Sequence, residues 1–161
     1  MLNILFSSEN IDFAAVSEEL LQDYLTLVND FARVGRFIGR EDKRTSPEKE
    51  LQWVREKQEE KAVLYSMIQR ESGDFIGNIE LMDPTDTQAE LGIAVTAAKQ
   101  EMGFGTEAVR RILEYGMKEL GLQRIFLKTD PGNARAIHVY EKCGFREYDR
   151  TEAHVYMEYI R

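Results

Sequence analysis

Two short stretches of the chain carry residue types and spacings that do chemistry. The first is Gln100-Glu101-Met102-Gly103-Phe104-Gly105-Thr106, between an apolar run ending Ile93-Ala94-Val95 and a strongly amphipathic run. Two glycines one residue apart let backbone approach a ligand closely. A helix start offers N–H groups with no intrahelical acceptor, at the positive end of the dipole. That is the general physics of a pyrophosphate cradle. Glycines before helices are common, so Gly-x-Gly alone is weak evidence. It is not a Rossmann fingerprint, lacking the third glycine, nor a Walker A loop, lacking Gly-Lys-Ser/Thr. The second stretch runs from Asn133 to Tyr140. That spacing is two helical turns, so both side chains can project from one side of a helix. Asparagine before a helix is also a common cap, and tyrosine on an amphipathic helix a common core residue.

These residues need elements to hold them. Residues 11–16 alternate as a short strand. Ser17 can cap a helix from Glu18, with Leu20, Leu21, Tyr24, Leu27, Val28 and Phe31 at helical spacing. Residues 32–45 read as irregular and basic. Ser46-Pro47-Glu48 starts a helix that runs to about Glu60. Strands are expected at 62–69, 75–82 and 89–96, forming an antiparallel meander. The clearest helix has the stripe Ala108/Val109, Ile112/Leu113, Gly116/Met117 and Leu120, ended by Gly121. A strand at 123–129, a helix at 134–143 and strands at 145–150 and 154–160 complete the chain. The order β-α-α-β-β-β-α-β-α-β-β predicts an α+β fold: a mixed, mostly antiparallel central sheet with helices on both faces.

The chain has 161 residues, with 21 Lys and Arg against 29 Asp and Glu, a net charge of −8. This length suits one domain, residues 1–161, burying roughly two-thirds of its unfolded surface. The negative charge speaks against nucleic acid or an anionic membrane as partner. The one cysteine, Cys143, cannot form an internal disulfide or a Cys-rich zinc site, and His138 and His154 leave little for a metal. Cys143, at a helix end, reads as a buried small apolar residue. No secretion signal or membrane span is visible, so the cytoplasm is the expected location. Charge is uneven: residues 1–32 hold six acids and no base, whereas 33–44 hold Arg33, Arg36, Arg40, Lys43 and Arg44 against Glu41 and Asp42. These are either solvated faces or segments of opposite potential beside a cleft.

Gln100-x-x-Gly103-x-Gly105 after a strand, then Asn133-x6-Tyr140-x3-Gly144-Phe145, resembles the GNAT superfamily of acetyl-CoA-dependent N-acetyltransferases. The element order agrees over nearly the whole chain. The strands Gly77-Asn78-Ile79-Glu80-Leu81 and Ala89-Glu90-Leu91-Gly92-Ile93 are most similar to the branch of ribosomal-protein N-terminal and spermidine or diamine acetyltransferases.

The resemblance implies that acetyl-CoA, a co-substrate, lies in a split between the strands at 89–96 and 123–129. Backbone of the Ile93-Ala94-Val95 segment would pair with the pantetheine, chiefly through Ile93 and Val95. Amides from about Glu101 through Met102, Gly103, Phe104 and Gly105 to Thr106, next to Gln100, would hold the pyrophosphate. Lys99, Arg135 and Lys142 are candidates for the ribose phosphate, or merely exposed charges. Tyr140 matches the family's proton donor to the leaving thiolate. Asn133 would contact the cofactor or polarise nearby backbone. Glu90 or Glu80 would be the base for the amine, or a salt-bridge partner; another family position for a glutamate is held by Lys128. His138 and His154 are read as structural.

The implied reaction is direct attack of a primary amine, from a small molecule or a protein N-terminus, on acetyl-CoA. A polyamine would suit an acidic acceptor side formed by Glu80, Asp83, Asp86 and Glu90; the basic 33–44 stretch would suit an acidic acceptor. The alternative is a non-catalytic acyl-CoA-binding sensor or regulatory subunit, against which Tyr140 speaks. Family members commonly pair, so a homodimer is a further expectation.

Overall fold

The computed structural model describes residues 1–37 and 44–161. The elements are β1 (Ile4–Ser7), β2 (Ile11–Ala15), α1 (Leu21–Asn29), α2 (Pro47–Glu60), β3 (Val63–Gln69), β4 (Phe75–Met82) and β5 (Gln88–Val95). They continue with α3 (Phe104–Lys118), β6 (Arg124–Thr129), α4 (Ala134–Lys142), β7 (Arg146–Arg150) and β8 (Val155–Ile160). Local chemistry sets the helix starts. Ser17 accepts from the Glu19 N–H at 3.1 Å and opens a 3₁₀ turn, Glu18–Leu20, that leads into α1. Ser46 accepts from the Lys49 N–H at 3.3 Å, with Pro47 in the first turn of α2.

The eight strands form one sheet in the order β1-β2-β3-β4-β5-β6-β8-β7. Every neighbouring pair is antiparallel except β5 and β6, which α3 connects in parallel. Seven of the strands coincide with the sequence expectation to within a residue or so. The eighth, β1, was not foreseen. It is a four-residue edge strand whose Ile4 and Leu5 are 42% and 51% exposed, so its apolar pattern has little inward face. Phe6 anchors it, stacked on Phe13 at 4.7 Å and Tyr115 at 5.2 Å.

Each face of the sheet carries its own core. Ile79, Leu81, Ala89, Leu91, Ile125 and Leu127 pack with Ala108, Val109, Ile112 and Leu113 of α3 and Tyr140 of α4. On the other face Ala14, Leu64, Ile68 and Phe75 pack with Tyr24 and Leu27 of α1 and Val54 of α2.

A break in register decides which residues of β4 face which core. Ile68 pairs with Phe75, but Met67 pairs with Gly77, so Ile76 is an extra residue, a β-bulge. Gly77 is the residue that lets the strands close again. A Cβ there would sit 1.9 Å from the Ala94 carbonyl oxygen. Beyond it Ile79 and Leu81 face α3, while Asn78 and Glu80 face the α1/α2 side together with Ser66 and Leu64.

The β5–β6 pairing is short. It runs only from Gln88–Arg124 to Glu90–Phe126. Past Glu90 the two strands part, although β4 follows β5 to Val95 and β8 follows β6 to Thr129. The wedge between them is the central cleft.

The first turn of α3 is tied to the β1–β2 turn by Glu107. Its carboxylate accepts from the Ser8 hydroxyl, and from the backbone N–H and side-chain amide of Asn10, each at 2.8 Å. Burial pushes this carboxyl up, but the Ser8 and Asn10 donors outweigh burial and hold it below its ordinary value. Glu107→Ala is therefore expected to lower stability by about 1–2 kcal/mol in urea titration at neutral pH. Because the folded-state pKa is depressed, the Glu107 contribution is lost as pH falls through that value, and the gap between variant and parent should close in acid.

Candidate active site

The cleft encloses about 800 Å³ and is lined by β5 from Glu90 to Val95, by Lys128 and Thr129 at the end of β6, and by the loop before α3. The Thr96 N–H donates to Ile76 at 2.8 Å, toward β4. Backbone groups alternate sides along a strand, so those of Ala94 turn to β4 and those of Ile93 and Val95 turn into the wedge, where no strand meets them. The Val95 carbonyl accepts from the side chain of Gln100 at 2.9 Å. The Gln100 amide also donates to the Arg33 carbonyl at 3.4 Å, linking the loop before α3 to the wall after α1. The Gln100 side chain thus braces the cleft beside the loop.

That loop has the backbone of a cradle. Glu101 and Gly103 both have positive φ, at 62° and 89°. Gly103 occupies the helix N-cap with no side-chain cap, so the first N–H groups of α3 lack side-chain acceptors. A Cβ on Gly105 would meet only Val139 Cγ1, at 3.9 Å. The fold therefore does not demand glycine at 105, and the open space belongs to the cleft. Met102 is 56% exposed, and Phe104 is buried in the α3 core.

Tyr140 reaches the cleft from the α4 face at 8% exposure, beside Phe145. Burial, with Cys143 adding, pushes its phenol well above the ordinary value, so it holds its proton at neutral pH. Glu80 and Glu90 reach the same cleft from the opposite face. Glu80 lies across Gly92, where a Cβ would come within 3.2 Å of its Cγ. Burial raises the Glu80 carboxyl; Lys57 opposes this, and Asp83 and Glu90 add to it. Asp83 and Asp86, expected beside them, are not on the lining.

Other expectations fare differently. Asn133 accepts from the Ala136 N–H at 3.4 Å, so it caps α4 and also lines the cleft. Lys99 donates to Gln69 at 2.8 Å and Asp74 at 2.9 Å, which neutralises it; Arg135 and Lys142 stay exposed. His138 and His154, read from the sequence as structural, both line the cleft. Cys143 is half-buried rather than buried, and its thiol donates to the Thr106 carbonyl. Of the basic stretch, Arg33 pairs with Asp30 at 3.0 Å; the Arg36 side chain, Arg40, Glu41, Asp42 and Lys43 lie outside the described residues.

The lining also holds Glu50, Trp53 and Asn78, which the sequence reading passed over. Glu50 is only 4% exposed. It stands one turn before the buried Val54, the signal that marks it as inward-facing. Among the described residues no group of His, Cys, Asp and Glu is placed to hold a metal ion, and no helix is long and apolar enough to cross a membrane.

Comparison with known proteins agrees with this architecture. The model of the acetyltransferase (GNAT) domain family matches residues 11–146, and the chain belongs to that family. A spermidine N(1)-acetyltransferase of Vibrio cholerae serotype O1 is 33% identical over 89 residues, 54% of this chain and 49% of that protein. The chain spans about half the length of the curated relatives it matches. Among solved structures, a GNAT-family acetyltransferase from Bacillus anthracis superposes with a TM-score of 0.84 at 19% identity, covering 99% of this chain and 98% of that one. A spermidine N-acetyltransferase from Vibrio cholerae, in complex with CoA and spermine, gives 0.85 at 21% identity, covering 95% and 96%. At these identities the structures show a shared fold.

The raised carboxyl of Glu80 has a thermodynamic consequence. The fold prefers its protonated form, so its contribution to stability is full below the ordinary carboxylate range and is lost as pH rises through the raised value. Glu80→Gln should melt at a higher temperature than the parent at neutral pH, with the difference closing in acid, measured by calorimetry.

Proposed function

We propose that residues 1–161 act as one N-acetyltransferase domain in the cytoplasm, moving the acetyl group of acetyl-CoA to a primary amine of a small molecule or a protein N-terminus by direct attack. One observation carries this reading: Tyr140 and Glu80, on opposite faces of one sheet, line one cleft beside a row of uncapped amides.

The residues present fit the co-substrate. The wedge-facing backbone of Ile93 and Val95 matches an extended amide chain, and the amides from Glu101 to Thr106 match a pyrophosphate. Acetyl-CoA supplies an acetyl group activated as a thioester. Glu80, a stronger base than an ordinary carboxylate, takes the proton of the attacking amine directly or through water, with Glu90 adding negative charge beside it. Tyr140, which keeps its proton, gives it to sulfur as the C–N bond forms and the C–S bond breaks. The proton that Glu80 gains returns to solvent, and solvent restores that of Tyr140. Glu80 and Glu90 give this side of the cleft negative charge toward which a cationic amine is drawn.

Thiol release from acetyl-CoA with a panel of amines tests this reading; tight CoA binding with no release across the panel would sink it. Tyr140→Phe should lower kcat about a hundredfold or more with KM little changed. Gly105→Ala should keep or slightly raise stability, by roughly 0.5–1 kcal/mol, as alanine does within a helix, while CoA affinity measured by calorimetry falls.

A further inference from the structure

A chain of buried hydroxyls ends in the cleft at Asn78. The Ser17 backbone N–H donates to the Tyr24 phenol oxygen at 3.2 Å. Tyr24 and Ser66 share a hydrogen bond of 2.6 Å, and the Ser66 hydroxyl donates to Asn78 Oδ1 at 2.9 Å. Tyr24 and Ser66 are both fully buried.

The direction of this chain follows from its far end. A backbone N–H can only donate, so the Tyr24 oxygen accepts there and its own proton goes to Ser66. The Ser66 proton in turn goes to Asn78. Reversal would leave the Tyr24 O–H with no acceptor in the core, which is costly for a buried donor. The Asn78 amide is thereby held with its oxygen inward and its Nδ2 toward the cleft, where Nδ2 has no hydrogen-bond partner among the described residues.

Asn78 and Glu80 are two residues apart on one face of β4. Such residues stand about 7 Å apart. An N–C–C–O unit, with one hydrogen bond of about 2.9 Å at each end, closes that gap. We infer that Asn78 is a specificity contact for the acceptor: its Nδ2 donates to the carbonyl oxygen of an α-amino acyl group whose nitrogen lies at Glu80. The acceptor is then an α-amino amide or a peptide N-terminus rather than a bare polyamine, which offers no oxygen to this donor. This rests on the acetyltransferase reading above.

The test compares glycinamide with propylamine, amines of similar size of which only the first carries the carbonyl. The parent should favour glycinamide over propylamine, and over spermidine, in kcat/KM once each is corrected for its neutral fraction. Asn78→Asp, of equal shape, keeps the bond from Ser66 but removes the N–H donor. The glycinamide-to-propylamine ratio should fall about tenfold in this variant, and by less in Ser66→Ala, which loosens the amide without removing it. The attraction of the added charge for the ammonium group is common to both amines. Calorimetric binding of the two amines to the CoA-loaded protein gives the same ratio without turnover. An unchanged ratio in a folded Asn78→Asp protein, or a parent that prefers spermidine, overturns the assignment. A binding ratio that falls in a protein that turns over no amine upholds the Asn78 contact and overturns the transferase reading alone.

Discussion

A continuous β-sheet keeps its two faces apart, and every property of this cleft depends on the point where that rule lapses. The β5–β6 ladder ends at Glu90. Had it continued, Tyr140 would stay with the α3/α4 core and Glu80 with the α1/α2 side, separated by a layer of backbone. The divergence opens one space to residues from both faces. It also leaves the wedge-facing groups of β5 without a partner strand, and unpaired backbone in a protein interior is costly. The Gln100 side chain covers the Val95 carbonyl, so the opening is braced rather than frayed.

The same economy of charge runs through the loop before α3. A chain of net charge −8 is a poor general binder of phosphates. Lys99, the nearest lysine in sequence, is held by Gln69 and Asp74, and so adds little positive field. What the loop offers instead is a helix terminus and backbone bent through left-handed conformations at Glu101 and Gly103. Neither changes the net charge. Both act within a few ångströms, well inside the roughly 8–10 Å beyond which salt screens the more distant surface charges.

The helix caps, the meander and the glycine loop were legible in the sequence because each is a local pattern. Ser17, Ser46 and the Ala108–Leu120 stripe declare themselves within a few residues. Four things were not local. β1 is too short and too exposed to alternate, and it exists because Phe6 finds Phe13 and Tyr115. Glu50 sits in a helix of mostly polar residues, where only its relation to Val54 hints at burial. Asn78 looked like one member of a strand motif. Its orientation comes from Ser66 and Tyr24, the latter more than fifty positions away in the chain. The lining by His138 and His154 also depends on how α4 and the approach to β8 close on the cleft. The periodicity of a single helix does not contain that information.

The bulge at Ile76 can be restated as a matter of parity. In a regular strand Phe75 and Asn78, three apart, would point to opposite faces; here both lie on the α1/α2 side because one residue is left out of the count. Were that residue paired like its neighbours, every later position of β4 would change sign. Ile79 and Leu81 would turn into the cleft, and Asn78 and Glu80 would be driven into the apolar core against α3. The chemical identity of this strand is thus stored in an odd-or-even count of backbone units as much as in the side chains themselves. Deleting Ile76 itself would leave those faces as they are; it is losing the bulge while keeping the residue that would invert the strand.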